Sequence, residues 1–140
     1  MKEEHSIAAV VYYENQYLLL KYGLGHWGFV KGHKEKGESD KETILRELEE
    51  ETGITDAKII GDFKKDFDYY FKFKGEKIHK SVTCYLIESK TTKVIISYEH
   101  EDYIWLPIEK ALKQATFDNS RKILRKAVAY RKSNLDSFLN

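Results

Sequence analysis

A short helix whose two ends are both marked is the feature of this sequence that most restricts its possible folds. Ser39 followed by Glu42 forms a capping box, the arrangement that begins many helices. Gly53 can adopt the left-handed conformation that ends a helix, and Ile54 supplies the apolar contact that often follows. The pattern therefore predicts a helix from Asp40 to Thr52.

This helix separates apolar side chains from acidic ones. At 3.6 residues per turn, the apolar residues share one arc: Ile44, Leu45 and Leu48. The adjoining arc, which we expect to face the surface, carries three carboxylates: Glu47, Glu50 and Glu51. Carboxylates at this spacing repel one another, and a divalent cation would offset that cost. Hard oxygen ligands suit Mg²⁺, with Mn²⁺ as a substitute, and Arg46 on the flank would orient one carboxylate without touching metal.

A run of glutamates is more often a solvated helix face, so the acidic arc alone would not indicate a metal site. The spacing of the whole segment 32–54 decides between the two readings. Gly32 is followed after five residues by Glu38 and after seven more by Arg46, at which the continuous run 46–54 begins. The chain resembles the Nudix hydrolase superfamily, because every defined position of the Nudix box is present.

The resemblance implies a fold and a set of roles. The fold is the Nudix α/β/α sandwich, a mixed sheet flanked by helices in which the box forms a loop-helix-loop unit. Glu47, Glu50 and Glu51 would be metal ligands, with the backbone carbonyl of Gly32 as a further one. Glu38 and Arg46 would brace the loop and the helix. The metals would activate a water molecule as the nucleophile, so that no covalent intermediate is needed.

The pattern of the remaining chain agrees with a mixed sheet covered by helices. Strands are predicted in two hairpins and two short segments: 6–13 with 17–22, 57–73 with 77–88, 29–31, and 103–106. From Pro107, placed at a first helical position, the pattern becomes helical. The final helix has an apolar stripe formed by Ile123, Leu124, Ala127 and Val128.

Four further stretches resemble the diadenosine tetraphosphate hydrolases of the animal and archaeal type. They are His26-Trp27 with Lys31-Gly32-His33, Phe63-Lys64 with Tyr69, the run 98–106, and Ala115-Thr116-Phe117. Their order along the chain matches that of the family. The resemblance covers most of the chain from about Ile7 to Leu124.

This closer resemblance implies how a nucleotide substrate would bind. His26, Lys31 and Lys80 would contact the polyphosphate, and Glu99 would lie near the metals as a ligand or as a base. Tyr69 and Phe117 would sandwich one adenine, with Tyr103 as a further candidate in the pocket. Lys77 is a further cation suited to the polyphosphate, but for Lys77 and Lys80 an ordinary position on the surface of a strand is the alternative to phosphate binding. For Trp27, Tyr103 and Trp105, packing in the core or at the rim is the alternative to a place in the pocket.

The resemblance is incomplete at two places. The family commonly has a proline pair where this chain has Phe29-Val30, and the loop at 72–77 has a different composition. Both differences concern loop geometry, so pentaphosphate, hexaphosphate and mononucleotide substrates stay open beside the implied cleavage of diadenosine tetraphosphate to ATP and AMP.

Composition narrows the other possibilities. With 140 residues, 41% of them apolar, the chain is expected to form one domain over residues 1–140. The net charge of +1 gives no general attraction to nucleic acid or to a membrane, and the sequence does not decide between a monomer and a homodimer. A single cysteine, Cys84, in a strand pattern is expected to fill the core. No signal peptide or membrane-spanning stretch is recognised, so a soluble cytoplasmic protein is expected.

Two other functions use the same features. A pyrophosphohydrolase could act on ADP-ribose, on an oxidised nucleotide, or on the triphosphate end of RNA with the same metal chemistry. RNA would require a basic track, for which the final helix offers six cations: Arg121, Lys122, Arg125, Lys126, Arg131 and Lys132. A solvated helix face is the commoner meaning of such cations. A catalytically silent nucleotide sensor is disfavoured because Glu47, Glu50, Glu51 and Glu99 are all present.

Overall fold

The computed structural model describes residues 1–139, with side chains as far as residue 134. Seven strands and three helices follow one another in this part of the chain. They are β1 (Lys2–Tyr13), β2 (Gln16–Tyr22), β3 (His26–Gly28), β4 (Val30–Gly32), α1 (Asp40–Thr52), β5 (Ala57–Phe73), β6 (Glu76–Ser89), β7 (His100–Leu106), α2 (Ile108–Gln114) and α3 (Asp118–Leu139).

The strands form one mixed sheet in the order β3-β2-β1-β6-β5, with β4 paired to β1 and β7 paired to β2. β1 and β6 run parallel, from Lys2 beside Ile78 to Tyr12 beside Glu88. The hairpins β1–β2 and β5–β6 are antiparallel, as their short polar turns predict. The predicted mixed sheet is confirmed.

Helices cover both faces of the sheet. The central strands are apolar on both sides, as is usual for buried parallel strands. One core lies between the sheet and α2–α3, and includes Val10, Leu19, Leu86, Ile123 and Leu124. The other lies between the sheet and α1, and includes Ile7, Leu18, Ile44, Leu48 and Ile87. Each fully buried Leu or Ile stabilises the fold by roughly 1.5–3 kcal/mol relative to exposure. The predicted α/β/α sandwich is confirmed.

α1 begins and ends at the predicted residues. The Ser39 hydroxyl accepts a hydrogen bond from the Glu42 amide at 3.1 Å, and the Glu42 carboxylate accepts one from the Ser39 amide at 2.9 Å. Gly53 adopts φ 75°, the left-handed conformation that ends the helix. The placement of Leu45 in the buried arc is wrong: its side chain is 39% exposed, and Thr43 packs into the core instead. The buried face of α1 is therefore rotated from the face that its apolar residues alone predict.

Other boundaries differ from the prediction where partners lie far away in the sequence. β1 begins at Lys2 and not near residue 6, because its first residues pair with β6. The strand expected at 29–31 is displaced to Val30–Gly32. Pro107 is the N-cap of α2 and not its first helical residue, and α2 is separated from α3 by the extended Ala115. Cys84 is fully buried in the core, as predicted.

Two side chains attach α3 to the sheet. The Tyr130 hydroxyl accepts from the Asp62 amide at 3.1 Å and donates to the Asp62 carboxylate at 2.9 Å. The Arg131 guanidinium donates to the Tyr17 hydroxyl at 2.8 Å and lies 3.6 Å from the centre of the Tyr12 ring. At least one of the six cationic side chains of this helix, that of Arg131, therefore holds the helix against the sheet.

The helices in the described part of the chain are too short or too polar to cross a membrane.

Candidate active site

Three carboxylates of α1 lie on the wall of one cleft, but in different environments. Glu51 is buried at 4% exposure, whereas the Glu47 side chain is 14% exposed and that of Glu50 is 55% exposed. The expectation that Glu51 faces the surface is therefore wrong. The three carboxylates run from the protein interior outward to solvent, because Glu51 lies on the face of α1 that is buried with Ile44 and Leu48.

Arg46 links the loop before α1 to this acidic arc. Its guanidinium donates two hydrogen bonds to Glu38, at 2.6 and 2.9 Å, and one to the Glu47 carboxylate at 2.9 Å. It also donates to the backbone carbonyl of His33 at 2.9 Å. The paired contact with Arg46 lowers the pKa of Glu38 to about 2, so this carboxylate stays charged as a brace.

Gly32 allows Glu47 to approach the β4 backbone. A Cβ added at Gly32 would lie 2.0 Å from Glu47 Cδ, far inside contact distance. Only a residue without a side chain leaves this space. The Gly32 backbone and the Glu47 carboxylate consequently occupy the same small region at the end of β4.

The buried carboxylate of Glu51 has an oxygen without a hydrogen-bond partner. Glu51 Oε1 and His100 Nε2 lie 3.4 Å apart, and neither atom is hydrogen-bonded to anything in residues 1–139. Burial, together with the neighbouring Glu47 carboxyl, raises the pKa of Glu51 to about 10. Burial lowers the pKa of His100, so its imidazole supplies no positive charge. The negative charge on this buried carboxyl group is therefore disfavoured, and a divalent cation would offset the cost of ionising it.

The donor set fits a hard cation that keeps some of its water. Within the described residues, no three His, Cys, Asp or Glu side chains are arranged so that they could hold a metal ion by themselves. Mg²⁺ usually takes only one or two protein carboxylates and completes its shell with waters and substrate phosphates. Residues that fit this arrangement are Glu47, Glu50, Glu51, Glu99 and the Gly32 carbonyl.

The carboxylates line an acidic cleft of about 610 Å³. Its wall also includes Lys31, Arg46, Lys80, Ser97, Tyr98 and Glu99. Lys80 is only 6% exposed and its ammonium lies 3.7 Å from Glu4. The reading of Lys80 as an ordinary surface lysine is therefore wrong, whereas Lys77 is exposed as that reading expects.

A second cavity of about 530 Å³, the aromatic cavity, opens beside the cleft. Its wall includes Tyr22, His26, Trp27, Lys31, Phe67, Tyr69 and Phe117. The His26 and Phe117 rings are stacked with centres 5.0 Å apart, and Phe117 remains 52% exposed. Tyr103 is absent from the walls of both cavities and is paired with Leu20 between β7 and β2.

Among the described residues, Lys31 alone belongs to the walls of both cavities. Its pKa is lowered by the protein packed around the ammonium and by the nearby Lys80. The ammonium lies 5.7 Å from the centre of the Tyr22 ring, whose edge in turn meets His100. Tyr22 thus lies on the wall of the aromatic cavity and contacts His100, which lies beside Glu51.

Sequence reasoning assigned no role to Tyr22 or His100. Tyr22 is the last residue of β2 and His100 the first of β7, and the two are paired in the sheet. The only sequence signal for His100 was its position next to Glu99. For Tyr22 the sequence offered only an aromatic residue at the end of a strand.

A capped acidic helix, a braced loop and an adjoining aromatic cavity are compatible with the hydrolysis of phosphoanhydride bonds. Residues 3–127 match the family model of the NUDIX domain, and the chain belongs to this family of hydrolases. Nudix hydrolases generally require divalent metal ions. The predicted family and enzyme class are confirmed.

Four relatives that match at least 79% of this chain share one description. The asymmetrical bis(5'-nucleosyl)-tetraphosphatase of Mus musculus is 37% identical over 116 residues, which cover 79% of this chain and 76% of the relative. The enzyme of that name from Sus scrofa is 38% identical over the same shares. A crystal structure of a C. elegans Ap4A hydrolase binary complex matches with a TM-score of 0.79 and 29% identity, covering 92% of this chain and 98% of that one.

Proposed function

We propose that the protein hydrolyses dinucleoside polyphosphates with Mg²⁺, and cleaves diadenosine tetraphosphate to ATP and AMP. The observation that carries this proposal is the pair of cavities that meet at Lys31. A nucleotide has an apolar base at one end and a charged phosphate chain at the other, and the two cavities offer these two kinds of surface side by side. The matches to the asymmetrical tetraphosphatases support the choice of substrate.

One nucleoside would occupy the aromatic cavity. Its base would stack between Tyr69 and Phe117, with His26 behind the Phe117 ring. The phosphate chain would then pass Lys31 and Lys80, whose ammonium groups neutralise part of a charge of about −4. Lys80 is buried with Glu4 3.7 Å from its ammonium, whereas Lys31 is exposed and can meet the phosphate chain between the two cavities.

The acidic cleft would hold the metal through Glu47, Glu50, Glu51 and the Gly32 carbonyl, with Glu99 as a further ligand or as a base. Bound Mg²⁺ would supply neutralisation of phosphate charge and a water molecule of lowered pKa. Arg46 and Glu38 keep Glu47 against the end of β4, which positions the ligand before substrate arrives. Glu99 lies on the exposed lip of the cleft, from which its carboxylate can receive a proton from the attacking water.

Cleavage of triphosphate-ended RNA is the alternative with the same chemistry. The basic helix α3 was the feature that favoured it. Arg131 of that helix is engaged with the β1–β2 hairpin, and Arg121 donates to the Ala115 carbonyl and to Asp118. Because these two arginines are engaged in contacts within the protein, the cations of α3 do not favour a continuous binding surface for RNA.

The experiment is product analysis with Mg²⁺ and four substrates: diadenosine tetraphosphate, diadenosine pentaphosphate, ADP-ribose and triphosphate-ended RNA. ATP and AMP should appear fastest from the first. Glu51→Gln should abolish turnover and retain the fold, because the amide keeps the shape of the side chain but lacks the negative charge that would bind the metal. Glu49→Gln is the matched control, since Glu49 is an exposed glutamate of the same helix outside the cleft.

Each result has a separate meaning. Faster cleavage of another compound would retain the Nudix chemistry and reject the substrate. Equal activity of the wild type and Glu51→Gln would reject the metal assignment. Absence of turnover on all four, with retained nucleotide binding, would instead favour a nucleotide sensor.

A further inference from the structure

A dinucleoside polyphosphate has two bases, and the aromatic cavity would accommodate one of them. The aromatic cavity holds one nucleoside, and the phosphate chain leads from it into the acidic cleft. The second nucleoside would emerge on the far side of the metal ligands. A side chain of the cleft wall on that side could bind its base.

Tyr98 is the aromatic residue of the cleft wall, and it lies outside the aromatic cavity. Its side chain is 97% exposed, more than any other large hydrophobic side chain in the described part of the chain. Single exposed aromatic residues are common on protein surfaces and carry little meaning by themselves. Tyr98 differs because it contributes to the wall of the acidic cleft, next in sequence to Glu99.

The backbone that carries Tyr98 is anchored on both sides. The Ser97 amide donates to the Glu51 carbonyl at 3.2 Å, and the His100 amide donates to the Ser97 carbonyl at 3.1 Å. The Ser97 hydroxyl and His100 Nδ1 are 3.2 Å apart. The turn is therefore tied to the C-terminal end of α1, while the ring itself is left free. A ring on an anchored backbone loses less entropy when it binds a ligand.

We propose that Tyr98 forms a second base-binding subsite, where the second nucleoside of a dinucleoside polyphosphate stacks on its ring at the rim of the acidic cleft. This inference rests on the proposed function. The subsite recognises a flat ring and is open to solvent on its other face, so it favours dinucleoside over mononucleoside polyphosphates without strong preference for one base.

The test compares two ligands that differ only in the second nucleoside. The Michaelis constant is measured for diadenosine tetraphosphate, and adenosine tetraphosphate, which has one base, is measured as a competitive inhibitor. Tyr98→Ala should raise the Michaelis constant about fivefold, which corresponds to roughly 1 kcal/mol, the low end of base stacking. The inhibition constant of adenosine tetraphosphate should stay unchanged. Tyr98→Phe should restore the wild-type Michaelis constant, because it keeps the ring.

Phe73→Ala is the matched control, since Phe73 is a 58% exposed aromatic residue outside both cavities. It should change neither constant. The subsite is rejected if Tyr98→Ala leaves both constants unchanged, or if it weakens both ligands equally, which would indicate an effect on Glu99 or the metal. If the wild type neither cleaves nor binds diadenosine tetraphosphate, the proposed function fails and the subsite with it.

Discussion

Replacing Gly32 by alanine tests the geometry of the metal site without removing any charged group. The added Cβ would lie 2.0 Å from Glu47 Cδ and 2.2 Å from Oε1. Because the backbone at Gly32 is fixed by pairing with β1, we expect the Glu47 side chain to rotate away. Its carboxylate would then leave the region that it shares with the end of β4.

The expected losses of stability and activity differ greatly in size. Rotation breaks the hydrogen bond from Arg46 to Glu47, and a bond to a charged group contributes roughly 1.5–3 kcal/mol. Arg46 keeps its two bonds to Glu38, so the lower value, about 1.5 kcal/mol, applies. This lowers Tm by about 3–6 °C. Disturbing even an outer partner of a metal ligand costs about 10–100-fold, so displacing a ligand should lower kcat/KM by at least about 100-fold.

Thermal unfolding and steady-state kinetics over a range of Mg²⁺ concentrations would measure both effects. Gly23→Ala is the control, because no atom lies within 4 Å of a Cβ added there. It should match the wild type in both assays. Full activity of Gly32→Ala would refute the role of Glu47. A fall in Tm of more than about 10 °C would show that the backbone moves and not the side chain.

Two further predictions concern the aromatic cavity and the outer sheet. Phe117→Ala should weaken binding of diadenosine tetraphosphate by roughly 1–3 kcal/mol through lost stacking, and an unchanged Michaelis constant would argue against a base at this position. The Asp68 and Glu3 carboxylates, which both hydrogen-bond to His79, raise the pKa of that histidine. Its contribution to stability should be complete below the ordinary histidine pKa and decline as pH rises through the raised value. Urea unfolding of wild type and His79→Gln should therefore differ more at pH 5.5 than at pH 8.5, and an equal difference would contradict this.

The sequence motif predicts the same family and fold that the matches with other proteins show. The motif succeeds because the Nudix box depends on interactions between residues that are close together in the sequence. The capping box of Ser39 and Glu42 and the left-handed Gly53 involve residues a few positions apart. Such contacts depend little on the rest of the chain, so the bounds of α1 follow directly from the amino acids. The spacing of the whole segment 32–54, through its resemblance to the Nudix box, likewise indicates the hydrolase family before any tertiary contact is considered.

The environment of each site residue, in contrast, depends on residues distant in the sequence. Glu51 is buried because α1 packs against the sheet, and its unpartnered oxygen faces His100 from β7. Lys80 is buried near Glu4, which β1 brings alongside β6. Neither burial can be read from residue type, since glutamate and lysine are usually exposed.

The sequence by itself determined the α1 helix, the family and the residue types that can bind a metal, because helix caps and motif spacing act over a few residues. Only the tertiary structure decided which carboxylate is buried, that Lys31 joins the two cavities, and that Tyr98 stands at the rim while Tyr103 does not reach either wall. These arrangements arise where strands far apart in the chain come together, through packing of both sheet faces that no local pattern encodes.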